Sequence, residues 1–342
     1  MQIWPFDLSR RKALLDRPAS LLRSLPGALA VSMLLAGTQA ALADEFPNRP
    51  VRAVTPIAPG SGGDLSLRFI AERLSTALGQ PVLVENKPGA DTYLATQSVL
   101  ASPADGYTML LTSPALVTIP LMTPAAKYDA MRDFRIIAML TRGPAVFVTG
   151  AQSRFGSFAQ LVNEARAKPG SVSLAIYGNS YRVGAALLAL QGGPEFNTVS
   201  YKGVSQATSD AIGGAVDVAL VDAGAALPMI RGGQMRALAL ATTARMPELP
   251  GVPTVRESGF PDFDLYIWTG LAVRSNTPEA AVQRLERELD VILKSPEFGA
   301  YALKRSPGGE VLAITGAEAR NTYAREAERY RKAVAQLIRR PK

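Results

Sequence analysis

From Val51 onward, short runs rich in β-branched residues alternate with segments whose apolar residues recur every three or four positions, and turn residues separate them. No other feature of this chain restricts its fold so much. "VRAVTPI", Val51 to Ile57, reads as a strand, after which Leu67, Ile70, Ala71, Leu74 and Leu78 mark one apolar face of a helix. "PVLVENKPG" from Pro81 is a second strand closed by a proline–glycine turn, and "YTMLLTS" from Tyr107 is a third. "FGSFAQLVNEARAKPG" is a helix and its turn, and the beat continues through "SVSLAIYGN", "VDVALVDAG" and "MRALALATT". The expected class is α/β with mainly parallel sheets. Thr277 is the expected N-cap of a late helix with Pro278 in its first position, and Thr315 with Glu318 reads as the capping box of the last one. That last helix, rich in Arg and Glu, is expected to lie across the surface. No internal repeat or low-complexity tract is visible.

Composition then removes whole classes of chemistry. The 342 residues suffice for two packed cores, and 47% hydrophobic content excludes wholesale disorder. Cysteine is absent, so there is neither a disulfide framework nor a thiolate nucleophile. Histidine is absent too, which removes the Ser-His-Asp triad, the usual zinc sites and the commonest general base together. An enzyme would have to use carboxylates such as Asp64 and Asp222 as acid and base, and no matched pair stands at a readable spacing. The reading is therefore no enzyme, no cofactor and no metal. The formal charge of +8 is partly an effect of the N-terminus, where the first 43 residues carry five Arg and Lys against two Asp; 32 against 27 remain. A balance of +5 without a dense basic run gives no reason to expect a nucleic-acid partner.

The N-terminus reads as an export signal spanning residues 1–43. "SRRKALL" opens a basic region, "LPGALAVSMLLAGTQAALA" from Leu25 is apolar and uncharged, and Ala41-Leu42-Ala43 supplies the small-x-small cleavage pattern. Arg10-Arg11 fits a twin-arginine signal or a Sec signal with two adjacent arginines. Both imply a periplasmic protein.

"APGSGGD" follows the first strand and opens a helix, the place in an open α/β sheet where an anion meets free backbone N–H groups. Gly60, Gly62 and Gly63 let the backbone approach a bound group; Pro59 and Ser61 complete the turn. The GxxxxGK[ST] spacing of a phosphate loop is missing. Asp64 either caps the helix or meets the ligand directly or through a water.

"RPVRAVTPIAPGSGGDLSLRFIAERLSTALGQPVLVENKPGA", "SPADGYTMLLTS", "VSYKG", "AIGGAVDVALVD", "LPMIRGGQMRALALATTARMPELPGVPTVRESGFPDF" and "WTGLAV" occur in an order and spacing that resembles the Bug-type solute receptors, the extracytoplasmic binding proteins of tripartite tricarboxylate transporters. The similarity runs from about Phe46 to the last helix. It implies a periplasmic-binding-protein fold, two α/β lobes joined by two crossing strands and closing on a small carboxylate. It also implies integral membrane transporter subunits as partners; the receptor itself is expected to be a monomer. With "AVFVTG" and "WTGLAV" as the crossing strands, lobe 1 should comprise 44–145 with 270–342, and lobe 2 should comprise 146–269. A receptor that presents its loaded form to a sensor kinase is the alternative within the same class.

Within that resemblance, Thr112 and Ser113 belong to a small polar second contact loop of lobe 1. Across the cleft the expected contacts are Tyr177, Gly178, Asn179, Ser180, Tyr181 and Arg182, then Tyr201 and Gly203, then Asp222. Here the chain departs from the resembled pattern, a Gly-x-Gly-Thr run with a histidine soon after: Tyr181 and Arg182 add bulk and charge, and Gly184 stands where the histidine would be. Arg182 either holds a carboxylate bidentately or is a solvated first-turn arginine. Tyr181 either stacks on the ligand, admitting an aromatic or longer carbon frame, or roofs the lobe. Asp222 either orients a donor group of the ligand or caps a loop. Asp91 and Thr92 also stand where glycines would be typical.

Overall fold

The computed structural model describes residues 46–60, 62–305 and 308–339. The expected export signal and Ser61 lie outside these residues. β1 (Val51–Thr55) leads into α1 (Gly62–Leu78), β2 (Val82–Asn86) into a 3₁₀ turn (Ala90–Thr92) and α2 (Tyr93–Leu100), and β3 (Thr108–Thr112) into α3 (Ala115–Met122). The long β4 (Phe134–Gly150) begins a second run: α4 (Phe158–Ala167), β5 (Ser173–Tyr177), α5 (Gly178–Leu190), β6 (Asn197–Tyr201), α6 (Val204–Ile212), β7 (Val218–Asp222), α7 (Ala223–Arg231) and β8 (Met235–Leu240). Then come β9 (Tyr266–Arg274), α8 (Glu279–Leu293), α9 (Pro296–Arg305), β10 (Glu310–Thr315) and α10 (Gly316–Arg339).

Two sheets share β4. Its first part pairs with β9 from Phe134↔Arg274 to Pro144↔Tyr266 and with β10; from Ala145 on it pairs with β7 and β8. The change of partner falls at Pro144, which has no N–H to donate, so the ladder breaks there without orphaning a donor. The first sheet continues outward from β9 as β3-β1-β2, and the second from β7 as β5-β6. The βα units pair in parallel, β1 with β2 and β3, and β5 with β6 and β7. Every pairing of β4 and β9 is antiparallel, which corrects the expectation of mainly parallel sheets. A strand that returns the chain alongside the one that carried it out has to run the opposite way.

The apolar stripe of α1 is buried as its spacing predicts, with Leu67, Ile70, Ala71, Leu74 and Leu78 packed against the first sheet under α8 and α9. A second cluster lies between the other sheet and α6 and α7, and a third runs across both sheets through α3, α5 and α10. Among the described residues there are three clusters where two cores were expected. α10 explains the shared one: Ala319, Tyr323, Ala327, Tyr330, Ala333 and Val334 form a buried stripe along it, and Tyr323 meets Trp268 of β9 edge to face. The helix expected to lie across the surface is a core helix with one charged face. Both predicted caps also need correction. Thr277 donates its hydroxyl to Arg274 O at 2.7 Å, and Pro278 occupies the N-cap position of α8. Thr315 ends β10, directly before α10, and its hydroxyl donates to Asp290 Oδ1 of α8 at 2.9 Å.

Candidate functional site

The glycine-rich turn after β1 is organised by Asp64. Its buried carboxylate accepts from Gly60 N–H at 2.8 Å, Arg68 Nε at 3.0 Å and Asn86 Nδ2 at 2.7 Å. Asp64 is the third residue of α1, so it reaches back over the turn to Gly60 instead of capping the helix from in front. Gly60 needs the left-handed backbone, with φ of +82°, to present that N–H. Burial alone would raise the Asp64 carboxyl, but the bonds from Arg68, Asn86 and Gly60 hold it below its ordinary value. Pro59 and Gly60 are exposed, and Gly62 opens the helix.

Beyond this turn is a cavity of about 420 Å³. Gly63 and Ser66 of α1 line one side, Asp222, Gly224 and Ala225 at the start of α7 line the other, and its floor is β4 and β9. The floor supplies two hydroxyls, Thr141 and Thr269, which are register partners with their Oγ1 atoms 2.9 Å apart. Two helix N-termini, from opposite sheets, therefore meet one cavity, and such ends attract anions through free N–H groups and the helix dipole. Among the described lining residues none is Lys or Arg.

Asp222 connects this cavity to an aromatic pair. Tyr177 O–H donates to Asp222 Oδ2, the Tyr177 and Tyr181 hydroxyls lie 3.0 Å apart, and their rings are 4.5 Å apart. Burial raises the Asp222 carboxyl, opposed by the two tyrosine hydroxyls. Burial and the charge of Asp222 hold both phenols well above the ordinary tyrosine value. Asp222 occupies the N-cap position of α7 but makes no side-chain capping bond, so the loop-capping alternative is set aside.

Of the other predicted residues, Thr112 is buried at the end of β3, and Ser113 Oγ accepts from Ala115 N–H at 3.3 Å as a turn former. Ser180 is buried in α5, and Arg182 donates to Ser200 Oγ at 2.5 Å. Tyr201 O–H goes to Asp210 at 2.8 Å, tying β6 to α6, whose N-cap is Gly203. Gly178 and Asn179 open α5 and meet Asp91 of the first sheet's β2–α2 connection. Of the predicted set the cavity brings together Gly63 and Asp222; it adds Ser66, Thr141 and Thr269. Ser66 was legible as the residue one helical turn beyond Gly63. The two threonines were not, since their meeting depends on strand register.

Gly184 packs against the buried Leu265, whose Cδ2 stands where a Cβ would go. A histidine has no room there. Gly184→Ala is expected to destabilise by up to about 2 kcal/mol, overpacking of about 1–3 kcal/mol set against a helix-propensity gain of about 1 kcal/mol. A melting temperature equal to that of the parent would show that Leu265 yields freely.

Two α/β layers sharing a long strand, with helix N-termini meeting over the crossing, define the periplasmic-binding-protein fold, which solved binding proteins share. Among similar structures, a Rhodopseudomonas palustris protein with adipate gives a TM-score of 0.73 at 27% identity, covering 85% of this chain and 97% of that one. MatC from the same organism, with bound malate, gives 0.71 at 27% identity, covering 84% and 100%. Protein BugT of Bordetella pertussis is 32% identical over 294 residues, 84% of this chain and 89% of BugT. The profile of the tripartite tricarboxylate transporter family receptor, TctC, matches residues 66–336, and the chain belongs to that family. Its relatives are receptors, and the enzyme reading falls. No helix among the described residues is long and apolar enough to cross a membrane.

Proposed function

We propose that this chain is a periplasmic receptor that captures a small carboxylate in the cavity between α1 and α7 and delivers it to the integral membrane subunits of a tripartite tricarboxylate transporter. The observation that carries the reading is the meeting of two helix N-termini over one cavity whose described lining has three hydroxyls and no basic side chain. Backbone N–H groups would hold the carboxylate, Ser66, Thr141 and Thr269 would complete its hydrogen bonds, and about 420 Å³ suits a small organic acid. Malate and adipate in similar structures support the ligand class. In this reading the mature receptor is a monomer, exported through residues 1–43. Its lobes are 44–145 with 270–342 and 146–269, turning on β4 and β9, and the handover of β4 at Pro144 supports that boundary.

A thermal-shift screen of aliphatic and aromatic carboxylates, followed by calorimetry on the best, tests the reading; no stabilisation by any acid would sink it. Gly63→Ala localises the site. A Cβ at Gly63 would lie 2.5 Å from Ile57 Cδ1, so Ile57, itself a lining residue, has to move. The affinity is expected to fall roughly tenfold with the fold intact, because the added methyl and the displaced Ile57 narrow the cavity and shift the Gly63 N–H, weakening about one hydrogen bond to a charged group. Unchanged affinity in a folded Gly63→Ala would move the ligand elsewhere.

A further inference from the structure

α5 has an unusual cap. Tyr177 occupies its N-cap position and makes no capping bond, so the first N–H groups of a thirteen-residue helix need an acceptor from elsewhere. The acceptor is Asp91, 88 residues earlier in the chain, on the β2–α2 connection of the other sheet: Asn179 N–H donates to Asp91 Oδ2 at 3.0 Å. Gly178 makes the approach possible. Its φ is +70°, and a Cβ there would lie 3.1 Å from Asp91 Oδ1. Burial raises the Asp91 carboxyl, and the Asn179 N–H and the charge of Arg182, one turn along α5, oppose that rise. To deliver it, Ala90, Asp91 and Thr92 all adopt left-handed backbone, with φ of 47°, 50° and 80°, a conformation that side chains disfavour. Nothing in the local sequence rewards three such residues in a row; the contact with α5 does.

We infer that Asp91 is a latch: its carboxylate, seated on the N-terminus of α5, holds the halves built on the two sheets together when no ligand is bound. A contact made in the closed arrangement alone shifts the balance between closed and open by its own free energy, and a charge-assisted hydrogen bond shifts it roughly tenfold. The latch lies beyond the carboxylate reading and is independent of it, because its test contains no ligand.

The chain has no cysteine, so two can be introduced cleanly for spin labels: Val291→Cys on α8, 69% exposed, and Gln206→Cys on the exposed face of α6. Pulsed electron paramagnetic resonance on the labelled, ligand-free protein should give one dominant distance. Asp91→Gly in that background removes the carboxylate while relieving the left-handed backbone, so its melting temperature should hold or rise. A second, displaced distance should appear, with the open-to-closed ratio raised roughly tenfold. Asp91→Asn keeps an acceptor and tolerates the backbone but loses the charge, and should fall between the two. A distance distribution in Asp91→Gly identical to that of the parent overturns the latch, whatever the melting temperature does. A displaced distance in Asp91→Gly that Asp91→Asn leaves equally displaced would overturn the hydrogen bond as its cause.

Discussion

Asp64→Ala is expected to lose about 2–4 kcal/mol of stability, a fall of about 3–6 °C in melting temperature for a chain of this size. The side chain is buried, and its removal leaves Gly60 N–H and Arg68 Nε without their carboxylate acceptor and Asn86 Nδ2 with Ile57 O alone. A helix cap alone would be worth about 1 kcal/mol. The larger figure follows because one carboxylate joins the glycine turn, the helix and the end of β2. Its pH dependence has a definite sign. A carboxyl held below its ordinary value contributes stability above the unfolded value of about 3.9, and that contribution is lost as the pH falls through the folded value. Parent and variant should therefore converge in stability as the pH drops below about 4. Denaturant melts at pH 7 and in acid check both statements; a difference that stayed constant with pH would mean that the lost interaction is not ionic.

Asp222→Asn is expected to tighten the binding of a plain dicarboxylate by about tenfold. Asp222 puts a negative charge at a cavity proposed to take an anion, and two unit charges about 6 Å apart repel by roughly 0.7–2.8 kcal/mol for an effective dielectric between that of water and about 20. The asparagine keeps an acceptor for Tyr177 while removing that repulsion. The same change has a signature in stability. Burial raises the Asp222 carboxyl, so its contribution is present below the unfolded value of about 3.9 and is lost as the pH rises through the raised folded value. The stability of the variant relative to the parent should grow across that window. Calorimetry with the best-bound plain dicarboxylate decides the ligand side. Weaker binding instead would mean that Asp222 receives a hydroxyl or ammonium donor from the ligand, and the ligand class would have to be redrawn toward hydroxy or amino acids.

The family was legible before the fold was seen because its motifs are runs of adjacent residues, from the glycine turn at Gly60 to "LPGVPTVRESGFPDF". The candidate cavity was legible only in part. Gly63 belongs to a turn that announces itself, and Asp222 ends a strand with a clear pattern. The site was otherwise sought on loops, where Tyr201 turned out to brace Asp210 and Arg182 to hold Ser200. The capping predictions failed for a related reason. Thr277 and Thr315 have the right residue type at the right offset, but each hydroxyl found a better partner, Arg274 O in its own turn and Asp290 on a neighbouring helix.

What the sequence determined by itself is what depends on near neighbours: the alternation of strands and helices, the buried stripe of α1, the turn at Gly60, and the exclusion of thiol and imidazole chemistry by absent residues. What the tertiary structure alone decided is which distant groups meet. Thr141 faces Thr269 because β4 and β9 pair in one register, and Tyr177 reaches Asp222 because β5 and β7 lie side by side. Asp91 caps a helix 88 residues away. Periodicity and turn chemistry act over a few residues, whereas strand register and the approach of two sheets arise from the packing of the whole chain, so no short stretch of sequence encodes them.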